Sequence, residues 1–135
     1  MFTHVTYLMV NVSDMGRSVA FYRDVVGLPL KYETPGWTEF ATGTTTVALH
    51  LSPCAEAKAG PSTGPTAGSC SIGFSVDDID AAWKKLEGRG AHFVVPPMLR
   101  AEEGIRLAVF VDPDGLMVSI AEAVAKAEPG ISSPR

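Results

Sequence analysis

Three histidines are the side chains of this chain best suited to proton transfer or metal binding near neutral pH. His4 lies three residues before Tyr7, so strand alternation turns these two side chains to opposite faces. His92 follows a predicted helix, and we expect it at the surface. His50 lies on a predicted strand, and two interpretations of it stay open. It is either an ordinary half-buried histidine or a hydrogen-bond donor or base inside a cavity. The three histidines form no evident cluster.

Other reactive or charged residues favour structural roles. Cys54 and Cys70 flank a Gly/Pro-rich stretch, and their pairing stays open, although a cytosolic chain favours free thiols. The Asp-Pro-Asp-Gly run at 112–115 lacks the ligand ladder and terminal Glu of an EF-hand, so it predicts a hairpin turn. Arg106 could meet an anionic ligand or be solvated, and we favour solvation. The sequence contains no Gly-rich phosphate loop, nucleophile elbow or CxxC motif.

Composition excludes several protein classes. The 135 residues suffice for one domain, and 46% are hydrophobic against 19% charged, which is typical of globular proteins. The net charge of −4 argues against a nucleic-acid partner. No apolar run reaches the ~20 residues of a membrane span. The N-terminus lacks the basic flank and cleavage site of a signal peptide, so we expect a cytoplasmic protein.

The chain contains an internal repeat, in which residues 8–32 parallel residues 72–94. Each copy opens with an apolar run, continues with a helical pattern that begins after an Asp, and stops at a Gly. The corresponding pairs are Asp14 with Asp78, Met15 with Ile79, and Gly27 with Gly90.

Helical spacing of apolar residues follows each of these aspartates. The residues at this spacing are Met15, Val19, Tyr22 and Val26 in the first copy, and Ile79, Trp83 and Leu86 in the second, where Trp83 is assigned to the core. Strand-like segments follow each helix, at 29–34, 36–41 and 45–51, and at 91–95, 105–111 and 116–121. Each half therefore predicts a strand–helix–strand–strand–strand module.

Loops and a tail accompany these modules. Residues 52–70 predict a flexible linker. Residues 96–104 predict a mobile loop that acts as a lid. A short helix is expected up to Glu128 in the tail.

The paired modules, with the segments VSDMGRSVAFYRDVVGLPL and VFVDPDGLMVSIAE, resemble the vicinal oxygen chelate superfamily over residues 4–122. That superfamily includes glyoxalase I, extradiol dioxygenases, fosfomycin-resistance enzymes and bleomycin-binding proteins. The resemblance implies an α+β fold, in which two βαβββ modules with pseudo-twofold symmetry form a curved mixed sheet around a cleft. It also implies a homodimer. The implied domain spans 1–122, with module one at 4–51, the linker at 52–70, module two at 71–122 and a tail at 123–135.

Enzymes of this superfamily hold a divalent metal through four inward-facing strand positions. The resemblance places Tyr7, His50, Ser71 and Ser119 at these positions. Only His50 is a usual ligand for a catalytic divalent metal, and neutral serine hydroxyls are poor ligands. We therefore expect no metal and no other cofactor.

Loss of the metal ligands favours a protein that binds or sequesters a small aromatic or apolar molecule in the cleft. Trp37 would either stack against the ligand in this cleft or pack in the protein core, and the sequence favours neither role over the other. An alternative is a glyoxalase-like lyase, isomerase or dioxygenase acting on vicinal oxygens, with His50 and Tyr7 as weak candidates for acid–base work. A third possibility is an accessory domain. The implied ligand-binding residues are Tyr7, Trp37, His50, Ser71, Met117 and Ser119.

Overall fold

Two four-stranded mixed sheets, each accompanied by one helix, make up the fold in a computed structural model. The structure describes residues 1–52 and 67–124. The described residues cluster into two compact units, of which the first extends to Ser69 and also includes Asp112–Asp114, and the second contains the rest. The domain boundary that we expect after residue 122 stays a prediction.

The first unit contains four strands and one helix that changes its winding. The helix α1 runs from Met15–Ala20 and continues as a π-helical turn over Phe21–Val26, which ends at Gly27 with a φ of +90°. Only glycine adopts such a φ without strain, as expected for a helix stop. The strands are β1 (Tyr7–Val12), β2 (Leu30–Glu33), β3 (Trp37–Phe40) and β4 (Thr46–Leu51).

The second unit repeats this order of elements. Its helix, α2, spans Ile79–Gly88 and buries Ile79 and Leu86, whereas Trp83 is half-buried. The strands are β5 (Ile72–Ser75), β6 (His92–Arg100), β7 (Ile105–Val111) and β8 (Met117–Ala123).

Strand pairing confirms the repeat predicted from the sequence. The sheet orders are β1-β4-β3-β2 and β5-β8-β7-β6. In both sheets the first strand pairs in parallel with the last strand, and the other pairs are antiparallel. The α+β class and the two βαβββ modules are therefore confirmed.

The two helices begin with the same side-chain cap. Asp14 Oδ1 accepts a hydrogen bond of 3.0 Å from the backbone N–H of Arg17, and Asp78 Oδ1 accepts one of 3.1 Å from Ala81. Both caps satisfy amide groups that the first helical turn leaves unpaired. The helix starts predicted from the repeat are confirmed.

Each helix covers one face of its sheet. In the first unit, the side chains of Val12, Tyr22 and Phe40 are fully buried, and Thr38 Oγ1 lies 3.4 Å from Met15 Sδ on this covered face. In the second unit, Ile79, Ala108 and Phe110 form a corresponding core. On the opposite face of the first sheet, Tyr7 and Tyr32 are exposed and Trp37 is half-buried.

The Asp-Pro-Asp-Gly segment is a turn between β7 and β8, as predicted, and it also contacts the first helix. The buried hydroxyl of Tyr22 donates a 2.8 Å hydrogen bond to Asp112. Asp114 accepts hydrogen bonds from the backbone N–H and the hydroxyl of Ser13, and it pairs with Arg17 at 3.2 Å. These contacts explain why Asp112–Asp114 cluster with the first unit.

The prediction of a mobile lid at 96–104 was wrong for its first half. Residues 96–100 belong to β6, and only 101–104 form a turn. β6 lies at an edge of its sheet, where proline can be tolerated because an edge strand leaves part of its N–H groups unpaired. The pairing of β6 with β7 is irregular between Val95 and Met98, where Pro96 and Pro97 lie.

Several sequence predictions fall wholly or partly outside the described residues. Most of the predicted linker, Cys54 and the predicted tail helix lie there. Cys70 is exposed and free, and the last strand extends to Ala123. Within residues 1–52 and 67–124, no helix is long and apolar enough to cross a membrane.

Candidate functional site

The uncovered face of the first sheet is built by strand alternation. Along β1, Val10 and Val12 are buried, whereas Tyr7, Met9 and Asn11 are exposed. The same alternation brings Trp37 and Glu39 of β3, and His50 of β4, to this open face. Tyr7 keeps 53% of its surface accessible, which is unusual for so large a ring.

Three rings form a row across this face. Trp37 lies opposite His50 in the β3–β4 pairing, and their ring centroids are 6.2 Å apart at an interplanar angle of 67°. The Tyr7 and Trp37 rings are 5.8 Å apart at 82°. Both are edge-to-face arrangements, which aromatic quadrupoles favour.

The carboxylate of Glu39 fixes the aromatic residues around it. Its Oε2 accepts hydrogen bonds from Trp37 Nε1 at 2.8 Å and from the Tyr32 hydroxyl at 3.1 Å. Lys31 Nζ lies 3.5 Å from the other carboxylate oxygen. The hydrogen bond from Trp37, followed by those from Tyr32 and Lys31, lowers the pKa of Glu39 despite some desolvation. Desolvation, together with the bond to Glu39, raises the pKa of Tyr32.

His50 is held by a neighbour on the edge strand. Asn11 pairs with His50 in the parallel β1–β4 ladder, and its side-chain oxygen lies 3.1 Å from His50 Nδ1. An amide oxygen only accepts hydrogen bonds, so this contact is a hydrogen bond in the tautomer that carries the ring proton on Nδ1. The exposed side of the first sheet is named the Trp37 face, and it contains Tyr7, Asn11, Tyr32, Trp37, Glu39 and His50.

The other three predicted ligand-binding residues lie in the second unit. Met117 and Ser119 are two residues apart on β8, so their side chains lie on the same face of the sheet. Gly73 of β5 pairs with Ser119, and Ser71 precedes Gly73 by two residues, which places Ser71 on that face as well. All three therefore belong to the sheet face opposite α2. Ser119 Oγ is 3.5 Å from the carbonyl oxygen of Ile72. A Cβ atom at Gly73 would approach Ser119 Oγ to 3.1 Å, so glycine gives this hydroxyl its room.

The four residues that the family resemblance assigns to metal positions do not suit a divalent cation. One imidazole, one phenol and two serine hydroxyls provide a single good neutral ligand and no carboxylate. His50 also directs Nδ1 to Asn11. Within residues 1–52 and 67–124, no group of three or more His, Cys, Asp and Glu side chains could hold a metal ion.

The acid–base pair considered from the sequence is also poorly arranged. Tyr7 pairs with Thr46 and His50 pairs with Asn11, so the two residues are four positions apart along neighbouring strands. That offset corresponds to about 13 Å along the strand direction. The Trp37 ring centroid lies 5.8 Å from that of Tyr7 and 6.2 Å from that of His50.

Arg106 pairs with an acidic residue of the second helix. It makes a bidentate ion pair with Asp80 of α2, at 2.8 and 3.2 Å. The bond to Asp80 raises the pKa of Arg106 and lowers that of Asp80. The side chain of Arg106 is thus partly accessible and also ion-paired, a partner that the sequence did not predict. His92 is exposed, as expected.

Sequence reasoning missed the polar residues that orient the rings. Glu39 could have been found by alternation, because it is two residues after Trp37 on the same strand. Asn11 shares a face with Tyr7 in the same way. Its pairing with His50, however, depends on the β1–β4 register, which no local pattern reveals.

Comparisons with known proteins agree on one family. The family model described as "Glyoxalase/Bleomycin resistance protein/Dioxygenase superfamily" matches residues 3–120. "Uncharacterized protein YraH" of Bacillus subtilis (strain 168) is 28% identical over 115 residues, which cover 81% of this chain and 90% of that protein.

Two solved structures resemble the chain over most of its length. TnmS3, an antibiotic binding protein from Streptomyces sp. CB03234, is 27% identical with a TM-score of 0.71, and the match covers 90% of this chain and 97% of TnmS3. A member of the Glyoxalase/bleomycin resistance protein/dioxygenase superfamily from Sphaerobacter thermophilus DSM 20745 is 28% identical with a TM-score of 0.69, over 90% of this chain and 98% of that one.

Proposed function

Because the chain belongs to the Glyoxalase/Bleomycin resistance protein/Dioxygenase superfamily, we propose that it is a binding protein that sequesters a small aromatic molecule without transforming it. The Trp37 face is the part of the molecule to which we assign this role. Membership of the superfamily alone does not select binding over catalysis, because the same fold carries many functions. The choice therefore rests on the side chains.

The observation that carries the proposal is the row of Tyr7, Trp37 and His50, in which Tyr7 and His50 are exposed and Trp37 is half-buried. Exposed aromatic rings on a sheet lose contact with water when a planar ligand covers them, which favours binding. Glu39 already holds the indole of Trp37, so less conformational freedom is lost when a ligand binds. A rigid aromatic platform with a few oriented polar groups is typical of a small-molecule site.

The nature of one similar protein supports the same choice. TnmS3 is an antibiotic binding protein, and it resembles this chain over nearly its whole length. An antibiotic with a planar aromatic part is therefore the class of ligand that we would screen first. Ser71, Met117 and Ser119 stay predicted ligand contacts, and the absence of a metal and of any other cofactor stays a prediction as well.

A direct test uses the two tryptophans of the chain as internal probe and control. The indole N–H signals of Trp37 and Trp83 would be assigned in 1H–15N NMR spectra with the variants Trp37→Phe and Trp83→Phe. Aromatic compounds of two to four fused rings, including antibiotics, would then be titrated into the wild-type protein. We expect the Trp37 signal to move with saturation, while the Trp83 signal stays in place.

The compounds would be recovered and analysed by mass spectrometry. Recovery of unchanged compound after binding is the expected result. Saturable binding that leaves the Trp37 signal unmoved would contradict the assignment to this face. Chemical conversion that is lost in His50→Ala would instead favour the lyase, isomerase or dioxygenase alternative.

The homodimer implied by the family resemblance and the cytoplasmic location expected from the N-terminus both stay predictions. A homodimer would be detected by analytical ultracentrifugation, as a mass of twice 14.3 kDa. A cytoplasmic location would be checked by fractionating cells that express the protein.

A further inference from the structure

We propose that the ligand carries a hydrogen-bond donor, a hydroxyl or N–H group on its aromatic ring system, and that His50 Nε2 accepts this hydrogen bond. This inference rests on the proposed binding function and assigns a chemical class to its ligand. It arises from the way in which Asn11 orients the imidazole.

The contact of His50 with Asn11 is a hydrogen bond when Nδ1 carries the ring proton. The amide oxygen of Asn11 lies 3.1 Å from Nδ1, and it requires a donor there. In a neutral imidazole only one nitrogen carries hydrogen, so Nε2 retains its lone pair. Asn11 therefore acts as a positioning residue that makes the outer nitrogen of His50 an acceptor.

His50 Nε2 is also available to a ligand. The side chain of His50 is exposed, and no other residue of 1–52 and 67–124 makes a hydrogen bond to its ring. Its ring centroid lies 6.2 Å from that of Trp37. A ligand ring that covers Trp37 can thus extend a substituent to His50 without leaving the aromatic platform.

The polar groups nearby are already engaged with each other. Trp37 Nε1 and the Tyr32 hydroxyl both donate to Glu39, and Glu39 also pairs with Lys31. These three contacts occupy most of the roughly four acceptor sites of the carboxylate, so little capacity is left for a further donor. Imidazole nitrogen is a good neutral acceptor, so the free Nε2 selects for a donor on the ligand rather than for an acceptor.

A pair of probes separates this inference from the binding function itself. 2-Naphthol carries a hydroxyl donor, and 2-methoxynaphthalene has the same ring system with an acceptor alone. Both would be titrated into the wild-type protein at pH 8, with the Trp37 indole signal as readout. We expect 2-naphthol to bind about 3- to 10-fold more tightly, the range expected for one neutral hydrogen bond.

Three variants test whether His50 causes the preference for 2-naphthol over 2-methoxynaphthalene. His50→Phe keeps a ring and removes the acceptor, so both probes should bind it with equal affinity. Asn11→Ala removes the contact that favours a proton on Nδ1 of His50. It should therefore reduce the preference for 2-naphthol, while 2-methoxynaphthalene binds as before. His92→Phe changes an exposed histidine outside the Trp37 face and should leave the preference intact. The 15N shifts of His50 in wild-type protein should identify Nδ1 as the protonated nitrogen.

The outcomes are distinguishable. Equal binding of both probes to the wild-type protein would overturn the inference while leaving the proposed function standing. A preference that persists in His50→Phe, or 15N shifts that place the proton on Nε2, would also overturn it. Failure of both probes and of the larger aromatic compounds to move the Trp37 signal would contradict the proposed function itself.

Discussion

The carboxylate of Glu39 accepts a hydrogen bond of 2.8 Å from the indole nitrogen of Trp37, two residues earlier on the same strand. Because both residues lie on the open face of the sheet, this bond constrains a ring that the core does not hold. The orientation of the indole thus depends on this hydrogen bond as well as on the neighbouring Tyr7 and His50 rings. That dependence leads to two predictions about Glu39.

Replacement of Glu39 should loosen Trp37. In Glu39→Ala the indole N–H loses its partner, so we expect it to exchange faster with water and aromatic compounds to bind about 3- to 10-fold more weakly. Glu39→Gln retains one amide oxygen and should give an intermediate effect. Glu33→Gln, on the neighbouring strand β2, is the matched control. Proton exchange of the indole signal measures the effect, and equal exchange in Glu39→Ala and wild type would contradict it.

Acidification should release the same contact. The bond from Trp37, with those from Tyr32 and Lys31, lowers the pKa of Glu39 from its ordinary 4.5. A carboxyl group with a lowered pKa contributes stabilisation above its ordinary pKa and loses it as the pH falls through the lowered value. The Trp37 indole signal should therefore shift with a midpoint below pH 4.5. A midpoint above that pH, or a shift that persists in Glu39→Gln, would contradict this assignment.

The buried hydrogen bond between Tyr22 and Asp112 should matter for stability. Tyr22 is inaccessible and Asp112 is only 4% accessible, so Tyr22→Phe leaves a buried carboxyl group without this donor. We expect a loss of about 1–3 kcal/mol in the free energy of unfolding, measured by urea denaturation. Tyr7→Phe removes an exposed hydroxyl and should change stability by less than about 0.5 kcal/mol. Equal effects of the two variants would contradict this role.

Tyr22 should also make the fold sensitive to alkali. Burial, then the charge of Asp112 and the hydrogen bond to it, raises the pKa of Tyr22 well above its ordinary value. A group with a raised folded-state pKa contributes full stability below its unfolded pKa, which is about 10 for tyrosine, and loses it as the pH rises further. The free energy of unfolding should fall above about pH 10, and less steeply in Tyr22→Phe. Identical slopes for both proteins would count against this explanation.

The fold was predictable because it is repeated and locally encoded. An aspartate cap, a helical apolar pattern and a glycine stop occur twice, and each feature depends only on nearby residues. The strand β6 was predicted too short, because Pro96 and Pro97 look like a loop until the position of β6 at the sheet edge is known. Sheet order is a non-local property that a single strand does not reveal.

The site was predictable only in part, for a related reason. The family resemblance placed Tyr7 and His50, and alternation brings Trp37 to their face. The polar partners that orient the rings come from cross-strand pairing, such as Asn11 with His50 and Tyr32 with Glu39. Likewise, the ion pair of Arg106 with Asp80 joins a strand to a helix, and no local pattern indicates it.

Metal retention distinguishes a binding protein from a metal-dependent enzyme of the same superfamily. The four corresponding positions carry Tyr7, His50, Ser71 and Ser119, and a site with one imidazole and no carboxylate should hold a divalent cation only weakly. Tag-free protein would be incubated with Zn, Ni, Mn or Fe(II), desalted and analysed by mass spectrometry. We expect well below one metal per chain, with no difference between wild type and His50→Ala. About one metal per chain in the wild type, lost in His50→Ala but retained in His92→Ala, would show that His50 ligates a metal. In that case Nε2 would serve as a metal ligand rather than as the acceptor for a hydroxyl on an aromatic ligand.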